Sequence, residues 1–398
     1  MPDAWYTFLS TVCARTYFSR IRVIGAERLP REGPILYAGL HRNGAVDGFV
    51  YKSIFRRAVF LIAAQLQKNL FSRMFFTGIS VVRDKDAGDR GMNVEAMQRC
   101  QELLAAGGEL FVFPEGTSSL GPRHLPFKSG AARIAVAAWQ AGIPVQIVPL
   151  GIHYHALATF RSSVELIVGE PIGSASVAKV PAEEQIAEAK RAVTHALEEV
   201  GVNVDSAEYF AEISTMAAMA APEGRYFETL KLCQESIPEK LQAPWRALYE
   251  GLQSSNLVHS EAAAAFSAPP PWISLLGGIC LVPLVAGAAI LNFAPLAGAY
   301  WAGKRFPDER NVVTLWRILV GAPLFLLWFV AVTLGLILTG RAVGVVFFLI
   351  LAVGGWLAYQ PARQLLVAGW NGMRFPELRR KSMDFREALF TEMRSHGR

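Results

Sequence analysis

Cysteine is scarce in this 398-residue sequence: Cys13, Cys100, Cys233 and Cys280 lie far apart and form no CxxC pair. That spacing excludes a disulfide framework and a thiolate zinc site, and it suits a reducing compartment. Glycine-rich nucleotide fingerprints and clusters of metal ligands are also missing, so no metal and no cofactor are expected. There is no internal repeat and no low-complexity tract. Charge is thin, with 18% of residues charged against 52% hydrophobic, which is more apolar character than a soluble protein needs. A basic stretch ahead of the first apolar residues is lacking, and Asp3 stands there instead, so a secretory signal is not expected. The net charge of +6 would suit nucleic acid or an anionic membrane equally. Much of it flanks apolar runs, which favours the membrane and leaves no nucleic-acid partner expected.

What is present divides the chain into four parts. Within residues 1–25, Trp5, Phe8, Leu9 and Val12 fall at i, i+3, i+4 and i+7, which predicts a helix with one apolar face. That face either packs on its own domain or lies on a bilayer, where Arg20 and Arg22 just beyond it would meet headgroups. Residues 26–178 alternate short apolar runs (PILYAGL, GISVVR, ELFVFPEG, PVQIVPLGIHY, VELIVGE) with helical stretches. This order predicts an α/β domain, a mixed and largely parallel sheet with flanking helices. Residues 179–266 are rich in Ala and Glu and read as a helical accessory region.

The run SAPPP opens the last part, 267–398, where the sequence changes solvent. Three apolar runs follow, 272–301, 313–339 and 342–359, each long enough to cross a hydrocarbon core of roughly 30 Å. Gly340 and Arg341 separate the last two, which predicts a tight transmembrane hairpin. Lys304, Arg305 and Arg310 precede it, and Arg363, Arg374, Arg379, Arg380 and Lys381 follow, so both its ends are expected in the cytoplasm, with a basic tail beyond. A single crossing by 272–301 would put the α/β domain outside. The alternative is a re-entrant segment that breaks near Asn292 to Pro295 and leaves on the side it entered. The expected product is a multi-pass membrane protein whose α/β domain faces the cytoplasm.

Chemistry concentrates in two stretches. In YAGLHRNGAVDG an apolar strand runs into His41, and Asp47 follows six positions later at the start of a helical pattern. On a straight helix that separation puts two side chains about 240° apart, so the pair meets only if the chain turns between them. Gly44 gives the freedom to turn. A carboxylate on one imidazole nitrogen fixes the tautomer and leaves the other nitrogen as a base near neutral pH. In ELFVFPEGTSS a second strand runs into Glu115, Gly116 and Thr117, a carboxylate between Pro and Gly that reads as a site loop.

With GISVVR ending at Arg83 and IVPLGIH containing Pro149, these stretches resemble, in order and spacing, the four motif blocks of the glycerolipid acyltransferase family, which includes lysophosphatidate and glycerol-3-phosphate acyltransferases. The resemblance covers roughly residues 30 to 175. It implies that His41 and Asp47 are the catalytic dyad and that Arg83 contacts the acceptor phosphate. It also implies that Glu115, Gly116 and Thr117 help to bind the acceptor, and that Pro149 serves the acyl or structural side of the site. Lys128, followed by Ser129 and Gly130 where a helix opens, is a further phosphate candidate, and Arg42 beside the base is another. His153 and His155 are expected to be structural. The five residues between His41 and Asp47 exceed the usual four and are similar to the spacing of fungal-type glycerol-3-phosphate and dihydroxyacetone-phosphate acyltransferases.

The function implied is acyl transfer from acyl-CoA or acyl carrier protein to glycerol-3-phosphate or 1-acylglycerol-3-phosphate at a membrane, in phospholipid biosynthesis. An acyltransferase for another lysolipid, or a catalytically silent membrane lipid-binding protein with the same fold, are the rival readings.

Overall fold

The computed structural model describes residues 2–67, 70–82, 91–259 and 263–395. Arg83 lies outside them. The chain forms two units, each described by itself: residues 1–16, 21–153 and 164–205 make the first, and 17–20, 154–163 and 206–398 the second.

The first unit begins with α1 (Pro2–Tyr17) and β1 (Arg20–Ile24), followed by β2 (Ile35–Gly39), α2 (Ala45–Ile54) and β3 (Val59–Ala63). It continues through α3 (Leu70–Phe75), β4 (Ile79–Val81), α4 (Gly91–Ala105), β5 (Glu109–Val112) and α5 (Gly130–Gln140). The elements β6 (Gln146–Tyr154), β7 (Ser163–Val168) and α6 (Gln185–Val200) complete it. The sheet order is β1-β7-β6-β2-β5-β3-β4, with parallel pairing of β6 to β2, β2 to β5, β5 to β3 and β3 to β4. Every residue of the central strand β2, ILYAG, is buried, the continuous apolar run that a parallel strand covered on both faces requires. The β6–β7 connection, residues 155–162, is too short for the dozen-residue crossover that parallel pairing needs, so these two strands run antiparallel.

The expected accessory region divides between the units. Ala189, Val193, Leu197 and Val200 of α6 form a buried stripe, and Ala189 packs with Ala132, Val136 and Val177 in the core beside α5. Apolar periodicity at 3.6 residues therefore ties α6 to the sheet domain, and the first unit runs to Asp205. On α1 the packed residues are Tyr6, Ser10, Cys13 and Ala14, with the Tyr6 ring against Phe49 and Phe60 at 6.4 and 6.3 Å. Trp5, Phe8 and Val12, the residues that predicted the helix, are 47%, 58% and 44% exposed.

In the second unit, α7 (Ala207–Ala220), α8 (Tyr226–Leu232) and α9 (Glu239–Ser254) precede α10 (Pro271–Leu291), α11 (Phe293–Arg305), α12 (Val313–Leu338), α13 (Ala342–Arg374) and α14 (Pro376–Ser395). Residues 271–291, 310–338 and 342–374 form helices long and apolar enough to cross a membrane. The α12–α13 turn is closed by Gly340 at φ +71° and by the Arg341 N–H donating to Leu336 O, a left-handed cap. The third apolar run was expected to end at 359, but α13 continues to Arg374. What was expected as a tail is also helical: Phe385, Leu389 and Met393 of α14, one turn apart, are buried, with Phe385 5.1 Å from the Trp245 ring.

The helix breaks at Asn292. Its side chain donates to Ala288 O, and Trp328 Nε1 on α12 donates to Leu291 O at 2.9 Å, so the carbonyl exposed by the break is satisfied by protein. Before the break α10 runs antiparallel to α13, with Leu275 at Gly369 and Ala288 at Gly355; a Cβ on Gly355 would lie 2.1 Å from the Ala288 Cβ. After it α11 runs antiparallel to α12, with Gly298 at Leu324 and Gly303 at Arg317.

Candidate active site

Parallel neighbours β2 and β5 deliver the site. Their register sets Ala38 opposite Val112, so His41 and Glu115, each three residues further on, leave the carboxyl edge of the sheet side by side. Between His41 and Asp47 the chain reverses at Gly44, whose φ of 52° and ψ of −146° are open essentially to glycine alone. Asp47 then stands in the first turn of α2, where the helix dipole favours a carboxylate.

Asp47 is fully buried, and its Oδ2 accepts three hydrogen bonds: from His41 Nδ1 at 2.9 Å, Arg42 N at 2.6 Å and Asn43 N at 2.8 Å. A carboxylate acceptor puts the proton on Nδ1 and leaves Nε2 as the basic nitrogen. The imidazole, 15% exposed, stacks on Phe113 with ring centroids 4.1 Å apart.

Glu115 is 2% exposed, and both its oxygens are occupied by backbone amides: Oε1 accepts from His41 N at 2.9 Å and Oε2 from Leu125 N at 3.1 Å. Burial raises its pKa above the ordinary carboxylate value, while the two amides and the nearby Arg42 and His41 pull it back. The loop between them is tied down further. Ser119 N donates to His41 O, Lys128 N to Pro114 O, and Arg42 Nη2 to Gly121 O at 2.7 Å. Burial lowers the Arg42 pKa, while the charges of Glu115 and Asp47 raise it. Its Nη1 is buried with no hydrogen-bond partner among the described residues.

Gly116 adopts φ +70°, and a Cβ there would lie 3.3 Å from Lys128 Cε and 3.5 Å from its Nζ, so Lys128 crosses the loop beside Glu115. Thr117 follows, half-buried. Pro149 is set apart from the dyad: it pairs with Ala38 in the sheet, and its carbonyl accepts from Gly169 N. Its neighbour Leu150 O accepts from Leu40 N, which steadies the strand end before His41. His153 Nε2 bonds Val200 O, and His155 stacks on Tyr226. Among the described residues no three His, Cys, Asp or Glu side chains gather as metal ligands.

Sequence reasoning missed Phe113, Tyr51 and the amide of Leu125. Tyr51 is buried one turn after Asp47, and its hydroxyl bonds Leu40 O and Leu150 O; burial, then the charges of Asp47 and Glu115, push its pKa well up. The i, i+4 spacing of Asp47 and Tyr51 on α2 was the available signal.

An acyltransferase family model matches residues 20–153. A 1-acyl-sn-glycerol-3-phosphate acyltransferase of Chlamydomonas reinhardtii is 30% identical over 145 residues, which is 35% of this chain and 42% of that protein. The glycerol-3-phosphate O-acyltransferase 2 of Saccharomyces cerevisiae is 40% identical over 82 residues, 20% of this chain and 11% of that one. A lyso-ornithine lipid O-acyltransferase of Brucella abortus is 31% identical over 172 residues, 39% and 58% of the two chains. The match thus spans less than half the length of the first of these relatives.

Proposed function

We propose that this chain, whose residues 20–153 form a domain of the acyltransferase family, is a membrane-bound O-acyltransferase that acylates glycerol-3-phosphate or 1-acylglycerol-3-phosphate from acyl-CoA or acyl carrier protein. The observation that carries the reading is the His41–Asp47 pair, in which one buried carboxylate oxygen holds the imidazole and the two amides that follow it.

His41 Nε2 removes the proton from the acceptor hydroxyl as its oxygen attacks the thioester carbonyl. The new C–O bond forms, the tetrahedral intermediate collapses with loss of the C–S bond, and the imidazolium returns its proton to the departing thiolate. Asp47 stabilises that imidazolium. Arg42, Lys128 and Arg83 supply cations for the acceptor phosphate; what supports the first two is the buried unpartnered Nη1 of Arg42 and the path of Lys128 over Gly116. Glu115 acts as a positioning residue that sets the His41 backbone, supported by the engagement of both its oxygens. Thr117, half-buried in the loop after Glu115, helps to bind the acceptor, and Pro149 steadies β6.

The α10–α11 pair is read as re-entrant, with the α12–α13 hairpin crossing and the family domain in the cytoplasm. Support comes from the return of α11 alongside α12 and from Trp328 covering the break. The test of function is purified full-length protein, as His41 wild type and as His41→Ala, given both donors and a panel of acceptors. Transfer to glycerol-3-phosphate or its 1-acyl form that vanishes in His41→Ala supports the reading. Preferential transfer to a lyso-ornithine lipid, the acceptor named for the Brucella relative, would replace it.

A further inference from the structure

We propose that Arg161, Arg317 and Arg363 of the second unit form a binding site for the phosphate of an anionic lipid headgroup. This rests on the membrane placement of α12 and α13, and not on acyl transfer.

The three arginines are linked through one short segment, residues 158–161, to which Arg161 itself belongs. Arg317 on α12 donates from Nη1 to Ala158 O and, at 3.4 Å, to the Tyr17 hydroxyl. The Tyr17 ring lies 5.6 Å from Phe160, which lies 5.7 Å from Tyr359 on α13. Arg363 sits 5.2 Å from that Tyr359 ring and bonds Gln360, and Arg161 sits 4.3 Å over the Trp356 ring. Trp356, Tyr359, Gln360 and Arg363 fall at i, i+3, i+4 and i+7, so they share one stripe of α13.

Two features show that the arrangement is built. A Cβ on Gly303 would lie 2.7 Å from Arg317 Nε, so it is the glycine that lets this guanidinium lie against α11. Arg161, at φ 61°, is the one non-glycine among the described residues in the left-handed region, held there by its N–H donating to Tyr17 O at 2.7 Å. A side chain that carries a Cβ stays in that region only where its surroundings impose it, and such positions gather at ligand sites.

Charge identifies the occupant. Among the described residues no carboxylate pairs with Arg317 or Arg363, and Arg363 Nε is buried without a hydrogen-bond partner. Half-buried guanidiniums with no carboxylate beside them favour an anion, and the guanidinium fork matches phosphate oxygens. Trp356 and Tyr359 mark the end of the apolar run of α13, the depth at which aromatic side chains meet headgroups. A phosphate presented at that depth belongs to a lipid.

The test uses the purified full-length protein and native mass spectrometry with phosphatidylglycerol against phosphatidylcholine of the same chains. Wild type should retain phosphatidylglycerol preferentially, and Arg363→Gln should weaken that retention about tenfold, with Arg317→Gln/Arg363→Gln weakening it further. Phosphatidylcholine retention and thermal unfolding should stay unchanged in Arg363→Gln, a site whose hydrogen bond goes to Gln360 and whose ring contact is with Tyr359, so this single variant carries the test if the double variant misfolds. Equal retention of the two lipids by wild type, or an undiminished preference in Arg363→Gln, overturns the proposal. So does displacement of phosphatidylglycerol by inorganic phosphate or coenzyme A, which would assign the site to a soluble phosphate. None of these readouts involves turnover, so failure of the acyl-transfer reading would show separately.

Discussion

Asp47→Asn isolates the charge of the dyad from its shape. The carboxylate oxygen that holds His41 Nδ1 also holds the amides of Arg42 and Asn43, and an asparagine oxygen in the same place can still accept all three bonds. The loop should therefore survive, with unfolding temperature changed by a few degrees at most. What is lost is the negative charge beside the imidazolium. At a charge separation near 4 Å that interaction is worth about 4 kcal/mol at an effective dielectric of 20, while the whole contribution of a charge-assisted hydrogen bond, roughly 1.5–3 kcal/mol, sets the lower figure. The barrier should rise by about 2–4 kcal/mol, which lowers kcat roughly 30- to 1000-fold while the acceptor KM changes little. Steady-state turnover with a thioester donor measures this, and the double variant with His41→Ala gives the decisive comparison. Two residues that act as one unit are non-additive, so adding Asp47→Asn to His41→Ala should cost almost nothing further. If the second substitution costs as much in that background as alone, or if Asp47→Asn stays within threefold of wild type, the dyad mechanism is refuted.

Gly44→Ala forces a Cβ into a backbone conformation that costs of order 1–3 kcal/mol, so the protein should lose that much stability in denaturant titration and kcat should fall with it; an unchanged midpoint would show that the turn is not needed. Glu115→Gln offers an acceptor to only one of two amides, so kcat should fall about tenfold or more with KM little changed, whereas a rise in acceptor KM alone would mark Glu115 as a substrate contact. Because burial raises the Glu115 pKa, the folded state binds its proton more tightly than the unfolded chain. The stability this confers is present below the ordinary carboxylate pKa and is lost as pH rises through the folded value, so Glu115→Gln should flatten that decline in thermal unfolding between pH 4 and pH 8. Arg83→Lys and Arg83→Ala should raise the acceptor constant about ten- to a hundredfold through loss of roughly 1.5–3 kcal/mol of charge-assisted bonding, and unchanged constants would remove Arg83 from the phosphate site. Single cysteines at Ser267 and Lys304, in a chain whose native Cys280 is replaced, should be labelled from the same side of sealed vesicles if α10–α11 is re-entrant; opposite sides would make it a crossing.

The parts of the site that were legible in the sequence are those where a local pattern fixes geometry. A fully apolar strand running into His41, a glycine at the turn and a carboxylate at the start of a helical pattern leave the chain little choice about bringing His41 to Asp47. The helix break at Asn292 was legible for a similar reason, since Pro295 follows it in a run otherwise suited to a continuous helix. What stayed hidden depends on partners distant in sequence. That both oxygens of Glu115 are taken by the amides of His41 and Leu125 follows from the parallel register of β2 and β5 and from the course of the loop, neither of which periodicity encodes. The boundary at 178 rested on composition, yet α6 is held by four small or branched apolar residues that only the adjacent α5 gives meaning to. On α1 the conspicuous aromatic stripe is the exposed one, and the core contact is made by the less conspicuous Tyr6, Cys13 and Ala14. Strong apolar periodicity therefore predicts a buried face without saying whether protein or lipid buries it. In this chain that ambiguity falls on Trp5, Phe8 and Val12, which the first unit leaves exposed.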